Sequence, residues 1–291
     1  MISLREFLGL VQLSDCDSQL PIADRMTAGN PRSLFGGVGL AAGILALEGA
    51  TGRRVVWATG QYVARVGPGS LMDIHVDLPA VGRGVTQGRV QSRVGDREII
   101  TVVGATSSRQ TIVPRSFAHC PSAPHPDECE AVVEESDRES VHDHADLRLI
   151  RGMHGFTGVG APSSDGRTQF WIRMPGIAHD AAALALMADY MSSAVGNALA
   201  RIAHCTSLDN TIRFATPMEP TDNAWILCDN HIEFVADGLA HGTGLMWSST
   251  GSLLATASQS MSVRFPRDRD PSLRPPPVDQ LLQGDHDEAA R

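Results

Sequence analysis

Apolar positions along the chain fall into two blocks of the same layout. The first opens on a glycine-led segment, Phe35 to Gly49, whose Val38, Leu40, Ala41, Ile44 and Leu45 predict a helix buried on most of its surface. β-branched runs of strand length follow at 54–66, 72–76, 83–94 and 98–106. The second block repeats the scheme, with a helix predicted over 181–203 and strands over 207–214, 224–234, 238–248 and 253–264. Alternation with period two is clearest in the last run: Leu254, Thr256, Ser258, Ser260 and Ser262 fall on one face, and Leu253, Ala255, Ala257, Gln259, Met261 and Val263 on the other.

Helices this apolar must be covered on nearly all sides. A curved antiparallel sheet wrapped around one central helix does that for each block, which predicts an α+β chain of double hotdog architecture. Three segments stand apart. Residues 114–146 mix proline, acid and histidine with little periodicity and read as a proline-rich acidic linker or surface loop. Residues 266–291 are polar and proline-rich and read as a disordered tail. In Ser14 to Arg32, helix breakers leave room for one short strand over Leu20 to Met26. The expected domains are therefore 1–113, an N-terminal hotdog; 114–146, the linker; 147–265, a C-terminal hotdog; and 266–291, the tail.

Composition narrows the function. With 291 residues, 42% of them hydrophobic and 20% charged, the chain is large enough for two domains or one fused pair sharing a sheet. A formal charge of -9 argues against a nucleic-acid surface. The longest apolar stretch, Leu34 to Leu47, is too short and too rich in glycine to span a bilayer, and Arg5 and Glu6 interrupt any leader-like region, so a cytoplasmic location is expected. Cys16, Cys120, Cys129, Cys205 and Cys228 are odd in number and irregular in spacing, as reduced thiols are. Cys120 and Cys129, with His119 and His125 nearby, match no zinc pattern, and neither a metal nor a cofactor is expected. Gly37-Val-Gly39 has no preceding strand in a βαβ unit, and no Gly-x-Ser-x-Gly elbow exists, so dinucleotide-binding and serine-hydrolase readings fall away.

Ser33-Leu-Phe-Gly-Gly-Val38, Gln169-Phe-Trp-Ile-Arg173, Thr206 to Phe214 and Gly251 to Gln259, taken together, resemble motifs of the acyl-CoA thioesterase II (TesB-like) family. Ser33-Leu-Phe-Gly-Gly-Val38 looks like the family's entry to its first helix, and Gln169-Phe-Trp-Ile-Arg173 like its Q-V-W-I-R strand. The stretch Leu184 to Tyr190 is similar to the family's L-A-Y-x-S-D-F, with Leu186 and Ala188 in place of tyrosine and serine. Thr206-Ser-Leu-Asp209-Asn-Thr-Ile-Arg-Phe214 resembles S-L-D-H-S-M-W-F, and Gly251 to Gln259 resembles the closing G-x-L-x-A-x-x-x-Q strand. In order and at compatible spacing, the matches cover residues 33 to 264. The resemblance implies hydrolysis of fatty acyl-CoA to free fatty acid and coenzyme A, by a water activated by an Asp, a Gln and a hydroxyl of the second half. The Asp carries over to Asp209 and the Gln to Gln259. Counting without a gap from Trp225 puts Glu233 at the hydroxyl position, and Val38 stands where the family has glutamine.

In that reading Asp209 accepts the water's proton, Gln259 orients the water, and Glu233 adds a second carboxylate. Phe35, Gly36, Gly37 and Val38 bind substrate, with backbone N–H groups of Gly37 and Val38 at the helix start polarising the thioester carbonyl. The partner is acyl-CoA, in a homo-oligomer built through exposed sheet edges. Two other readings stand beside this one. A noncatalytic acyl-CoA-binding double hotdog follows if the loss of the family hydroxyl ends turnover. A hotdog hydratase would need a positioned His beside a carboxylate, for which no motif is visible.

Overall fold

In a computed structural model, residues 1–29, 32–109, 115–134, 137–215, 221–222 and 224–265 are described. The tail at 266–291 lies outside them. A short helix α1 (Leu4–Leu8), held by a capping box between Ser3 and Glu6, leads into strands β1 (Val11–Gln12) and β2 (Asp17–Pro21). The short strand expected over Leu20 to Met26 thus lies earlier, and Asp24–Met26 form a 3-10 turn that Thr27 closes onto the Asp24 carbonyl.

The first helix, α2 (Gly36–Thr51), is buried from Gly37 to Leu47 and ends on Gly52 in the left-handed conformation. Strands β3 (Arg54–Tyr62), β4 (Leu71–Val81), β5 (Val85–Val94) and β6 (Arg97–Ser107) follow. The expected linker is more structured than its composition predicts. Within it β7 (Glu130–Val132) pairs with β8 (Asp146–Arg151), and Val141–His144 form a capped 3-10 turn. Its apolar minority explains this: Ala118, Cys120, Ala123 and Cys129 cover Trp171, Leu227 and Trp247 on the outer face of the sheet, and Trp171 Nε1 donates to the Pro124 carbonyl at 3.0 Å.

The second block begins with β9 (Arg167–Arg173), β10 (Ala178–His179) and α3 (Ala181–Ala188). The helix expected over 181–203 is broken in its middle: Asp189–Ser193 wind as 3-10, and α4 (Ala194–Ala198) resumes the α form. Ser192 and Ser193 donate back to the carbonyls of Asp189 and Tyr190, at 3.0 and 2.8 Å, which favours the tighter winding. Then come β11 (His204–Ser207), β12 (Asp209–Phe214), β13 (Thr221–Asp222), β14 (Ile226–Ala236), β15 (Leu239–Ser248) and β16 (Leu253–Arg264).

Fourteen strands form one antiparallel sheet, in the order β1-β2-β4-β5-β6-β3-β12-β16-β15-β14-β9-β8-β7 with β11 beside β16; β10 and β13 pair separately. Reading outward from the central pair β3/β12, each helix-and-four-strand block follows one path: β3-β6-β5-β4 on one side and β12-β16-β15-β14 on the other. Both helices pack inside this sheet, and α2 meets α3 so closely that a Cβ on Gly37 would stand 2.5 Å from the Leu186 carbonyl oxygen. Among the described residues no helix is long and apolar enough to cross a membrane.

Candidate active site

The break between α3 and the following 3-10 turn places a carboxylate where an apolar helix would otherwise continue. Asp189 is 2% exposed and accepts four hydrogen bonds. Gly37 N donates to Oδ2 at 2.7 Å. Oδ1 takes Gln259 Nε2 at 2.5 Å, Ser207 Oγ at 3.2 Å and Asn210 Nδ2 at 3.3 Å. Gln259 Nε2 also donates to Ser207 Oγ at 2.7 Å. Burial raises the Asp189 pKa, while the bonds from Gly37, Gln259, Asn210 and Ser207 pull it back down.

Each partner is placed by its strand. Gln259 lies on the buried face of β16, the face its alternation predicts. Ser207 ends β11, and Asn210 points inward from β12 just beyond the break at Leu208. Tyr62, the last residue of β3, donates its N–H to the Leu208 carbonyl, so its ring lies beside this break. A Cβ added to Gly36 would stand 2.8 Å from Asp189 Oδ2 and 3.1 Å from Tyr62 Cζ. Close approach of three elements is what requires glycine there.

Of the three expected catalytic residues, the structure brings only Gln259 to this cluster. Asp209 is half-buried, and its Oδ1 accepts from Ser260 N at 2.6 Å. Leu208 N bonds the Ser260 carbonyl at the break between β11 and β12, so the ladder leaves the Ser260 N–H to a side chain, and Asp209 takes it. Glu233 is exposed at the bulge between Ile232 and Phe234, accepts from Thr243 Oγ1 at 2.6 Å and lies 3.3 Å from His231 Nδ1. The Thr243 hydroxyl first, and His231 after it, hold Glu233 below the usual carboxylate range. Asp209 and Glu233 are therefore not buried together.

The expected backbone donors are also committed. Gly37 N–H goes to Asp189, and Val38 N–H goes to the Phe35 carbonyl at 3.0 Å. Val38 itself is fully buried core. Phe35 packs its ring against His142 and Tyr190. Sequence reasoning passed over Asp189, Ser207, Asn210 and Tyr62. The signal for Asp189 was present, since an acid inside the apolar run Leu184 to Met191 has no solvent to reach and needs buried partners.

Among the described residues no group of three or more His, Cys, Asp or Glu side chains is gathered as a metal would require. Cys120 and Cys129 belong to the apolar cover over Trp171.

Residues 119–263 match the family model for the acyl-CoA thioesterase C-terminal domain. No curated protein matches the chain in sequence. Among solved structures, a candidate thioesterase from Novosphingobium aromaticivorans is 29% identical, covers 88% of this chain and 98% of its own, and superposes with a TM-score of 0.77. A hot dog fold protein of unknown function from Alicyclobacillus acidocaldarius is 20% identical over 88% and 96% of the two chains, with a TM-score of 0.77. The acyl-CoA thioesterase II TesB2 of Mycobacterium marinum is 19% identical over 91% and 99%, with a TM-score of 0.70. The last two likenesses establish the hotdog fold. Residues 119–263 thus match the acyl-CoA thioesterase C-terminal domain, in line with the family that the sequence motifs resemble.

Proposed function

We propose that this chain is an acyl-CoA hydrolase whose water is activated by Asp189, Gln259 and Ser207. The observation that carries the reading is the convergence of a carboxylate, an amide and a hydroxyl from three separate elements on one buried point. Burial makes Asp189 a stronger base than a surface carboxylate, which suits proton abstraction near neutral pH. Asp189 takes one proton of the water, and Gln259 Oε1, which has no partner in the fold, accepts from the other. The water oxygen adds to the thioester carbonyl carbon. The tetrahedral oxyanion then collapses, the carbon–sulfur bond breaks, and coenzyme A leaves as its thiol after taking the proton from Asp189.

The noncatalytic alternative rested on Glu233 standing where a hydroxyl belongs. Ser207 puts a hydroxyl on both Asp189 and Gln259, which favours turnover. With this reading go two repeats, each one helix in its own half of the sheet, joined through residues 114–146, with fatty acyl-CoA as substrate. The test is release of free thiol from a chain-length panel of acyl-CoAs. Asp189→Asn and Gln259→Ala should each lower kcat at least about 100-fold, a scale usual for catalytic groups, while Asp209→Asn and Glu233→Gln keep wild-type order of turnover. Full activity in Asp189→Asn refutes the assignment.

A further inference from the structure

We infer that Tyr62 is a further catalytic residue, its phenolic O–H donating to the thioester carbonyl oxygen as that oxygen becomes an anion; this rests on the hydrolytic reading of the Asp189 site.

Thioester hydrolysis needs a donor for the oxyanion. A helix N-terminus is the ordinary source, but here Gly37 N–H is taken by Asp189 and Val38 N–H by Phe35, which leaves Gly36 N–H as the one uncommitted donor of the first turn among the described residues. One backbone donor holds an oxyanion weakly. The Tyr62 hydroxyl stands next to it: the point where Gly36 would carry a Cβ is 3.1 Å from Tyr62 Cζ and 2.8 Å from Asp189 Oδ2. The hydroxyl therefore lies beside both the remaining amide and the proposed base.

Tyr62 Oη is fully buried and its proton has no acceptor within the fold, the Asn210 side chain being the neutral hydrogen-bonding group that faces it. The groups that face it are the carboxylates of Asp189 and Asp209 and the Asn210 amide, and none of them accepts its proton. A buried hydroxyl whose proton has no acceptor destabilises the fold, and a phenylalanine would fill the same space without that cost. A hydroxyl kept at such expense, between a base and an amide donor, has the position and the protonation of an oxyanion donor. Burial, and then the nearby carboxylates, push its pKa well above the ordinary tyrosine value, so it keeps its proton throughout the working range. As the carbonyl oxygen takes up negative charge the bond from Tyr62 strengthens, and on collapse of the intermediate it weakens again. No proton leaves Tyr62 in the cycle.

The test is Tyr62→Phe beside Asp189→Asn in the full chain, read by thiol release across pH, with thermal unfolding as the check on folding. The ring that packs over Gly36 is kept, so the variant should fold with a Tm equal to or above wild type. The expected result is a fall in kcat of about 100-fold or more, the scale for loss of one oxyanion donor, with KM nearly unchanged and the acid limb of the pH profile unmoved. Wild-type kcat in Tyr62→Phe, with Asp189→Asn inactive, overturns the role of Tyr62 and leaves the hydrolytic reading standing. A shifted acid limb with an undiminished plateau also overturns it, because Tyr62 would then act only through the pKa of Asp189. A wild-type protein that turns over no acyl-CoA removes both.

Discussion

Substituting Gly37 with alanine tests whether the approach of α2 to α3 builds the site. A Cβ at Gly37 would lie 2.5 Å from the Leu186 carbonyl oxygen and 2.9 Å from both Leu186 Cα and Asp189 Cβ. Two of these three atoms are backbone, so no rotamer change relieves the clash. Restoring an ordinary 3.4 Å contact means moving one helix about 0.9 Å from the other. Overpacking of this kind costs about 1–3 kcal/mol, and alanine's helix propensity recovers little of it in a first turn. The movement also stretches the 2.7 Å bond from Gly37 N to Asp189, and a displacement near 1 Å at a reacting group can cost about 100-fold in rate. Gly39→Ala, two residues along the same helix, is the control. Its Cβ would find Ile100 Cδ1 at 3.4 Å and Leu34 Cδ2 at 3.6 Å, both ends of flexible side chains. The helix-propensity gain of about 0.8–1.0 kcal/mol should leave that variant as stable as wild type or slightly more so. Urea unfolding followed by circular dichroism gives the stabilities, and thiol release gives kcat. Equal midpoints and equal kcat for the two variants would refute the claim that α2 and α3 are held at the distance the site needs.

The remaining predictions concern buried charge. Arg167 clasps Asp229 through Nε at 2.7 Å and a second nitrogen at 2.5 Å, with Gln169 Nε2 adding a bond at 3.1 Å. Arg167→Met strands a carboxylate whose side chain is 6% exposed, and should cost about 2–3 kcal/mol in urea unfolding, below the roughly 3–5 of a fully buried pair because Arg167 is 38% exposed; adding Asp229→Asn should recover most of the loss. Near α2, burial and then the charge of Asp143 raise Glu134 to about 7, and burial lowers His142 to about 4. Glu134 titrates near 4.5 when unfolded, so its contribution to stability is complete below that pH and is lost as pH rises through about 7. His142 runs the other way: its contribution is complete above its unfolded 6.5 and is lost as pH falls through about 4. Between about 4.5 and 6.5 the two slopes oppose, so Glu134→Gln should make stability rise more steeply with pH than in wild type, and His142→Phe should make it rise less steeply or fall; matching slopes in all three proteins would refute the assignment.

The fold was legible because burial imposes periodicity. From Ala255 to Val263 the last strand alternates as its sequence predicts, and both apolar helices could only be interior. The site was legible in part. Gln259 is a polar residue on an apolar face, which is visible in one dimension. Ser207 and Asn210 are ordinary polar residues on either side of Leu208-Asp209, and the strand break at Leu208 brings both to Asp189 while Asp209 turns to the Ser260 N–H. Counting forward from Trp225 leads to the exposed Glu233, whereas the hydroxyl that meets Asp189 and Gln259 precedes that strand, at the end of β11. Residues 114–146 hold more regular structure than their composition predicts, for a different reason. Proline and acid dominate that composition, but Trp171, Leu227 and Trp247 need a cover, and a few small apolar residues within the segment supply it.

The layout of the two blocks also accounts for a single polar cluster of the kind proposed as the active site. In the central pair Thr59 stands opposite Thr211, with Oγ1 atoms 2.9 Å apart, and the two positions differ by 152. Gly37 and Asp189 differ by the same 152, so the hydrogen bond between them joins matching positions of the two helices. Applying that offset, the counterparts of Ser207 and Asn210 are Val55 and Ala58, and the pairing of β3 with β6 makes Gly104 the counterpart of Gln259. None of these N-terminal residues carries a polar side chain. A second carboxylate at position 37 would face Asp189 across the same axis, and two buried like charges at such range would force one to hold its proton. Glycine there avoids that conflict and gives Asp189 a backbone N–H in place of a competitor. In the proposed mechanism the C-terminal half contributes the base, amide and hydroxyl, and the N-terminal half contributes the Gly37 amide and the Tyr62 ring, so neither half alone holds the full set.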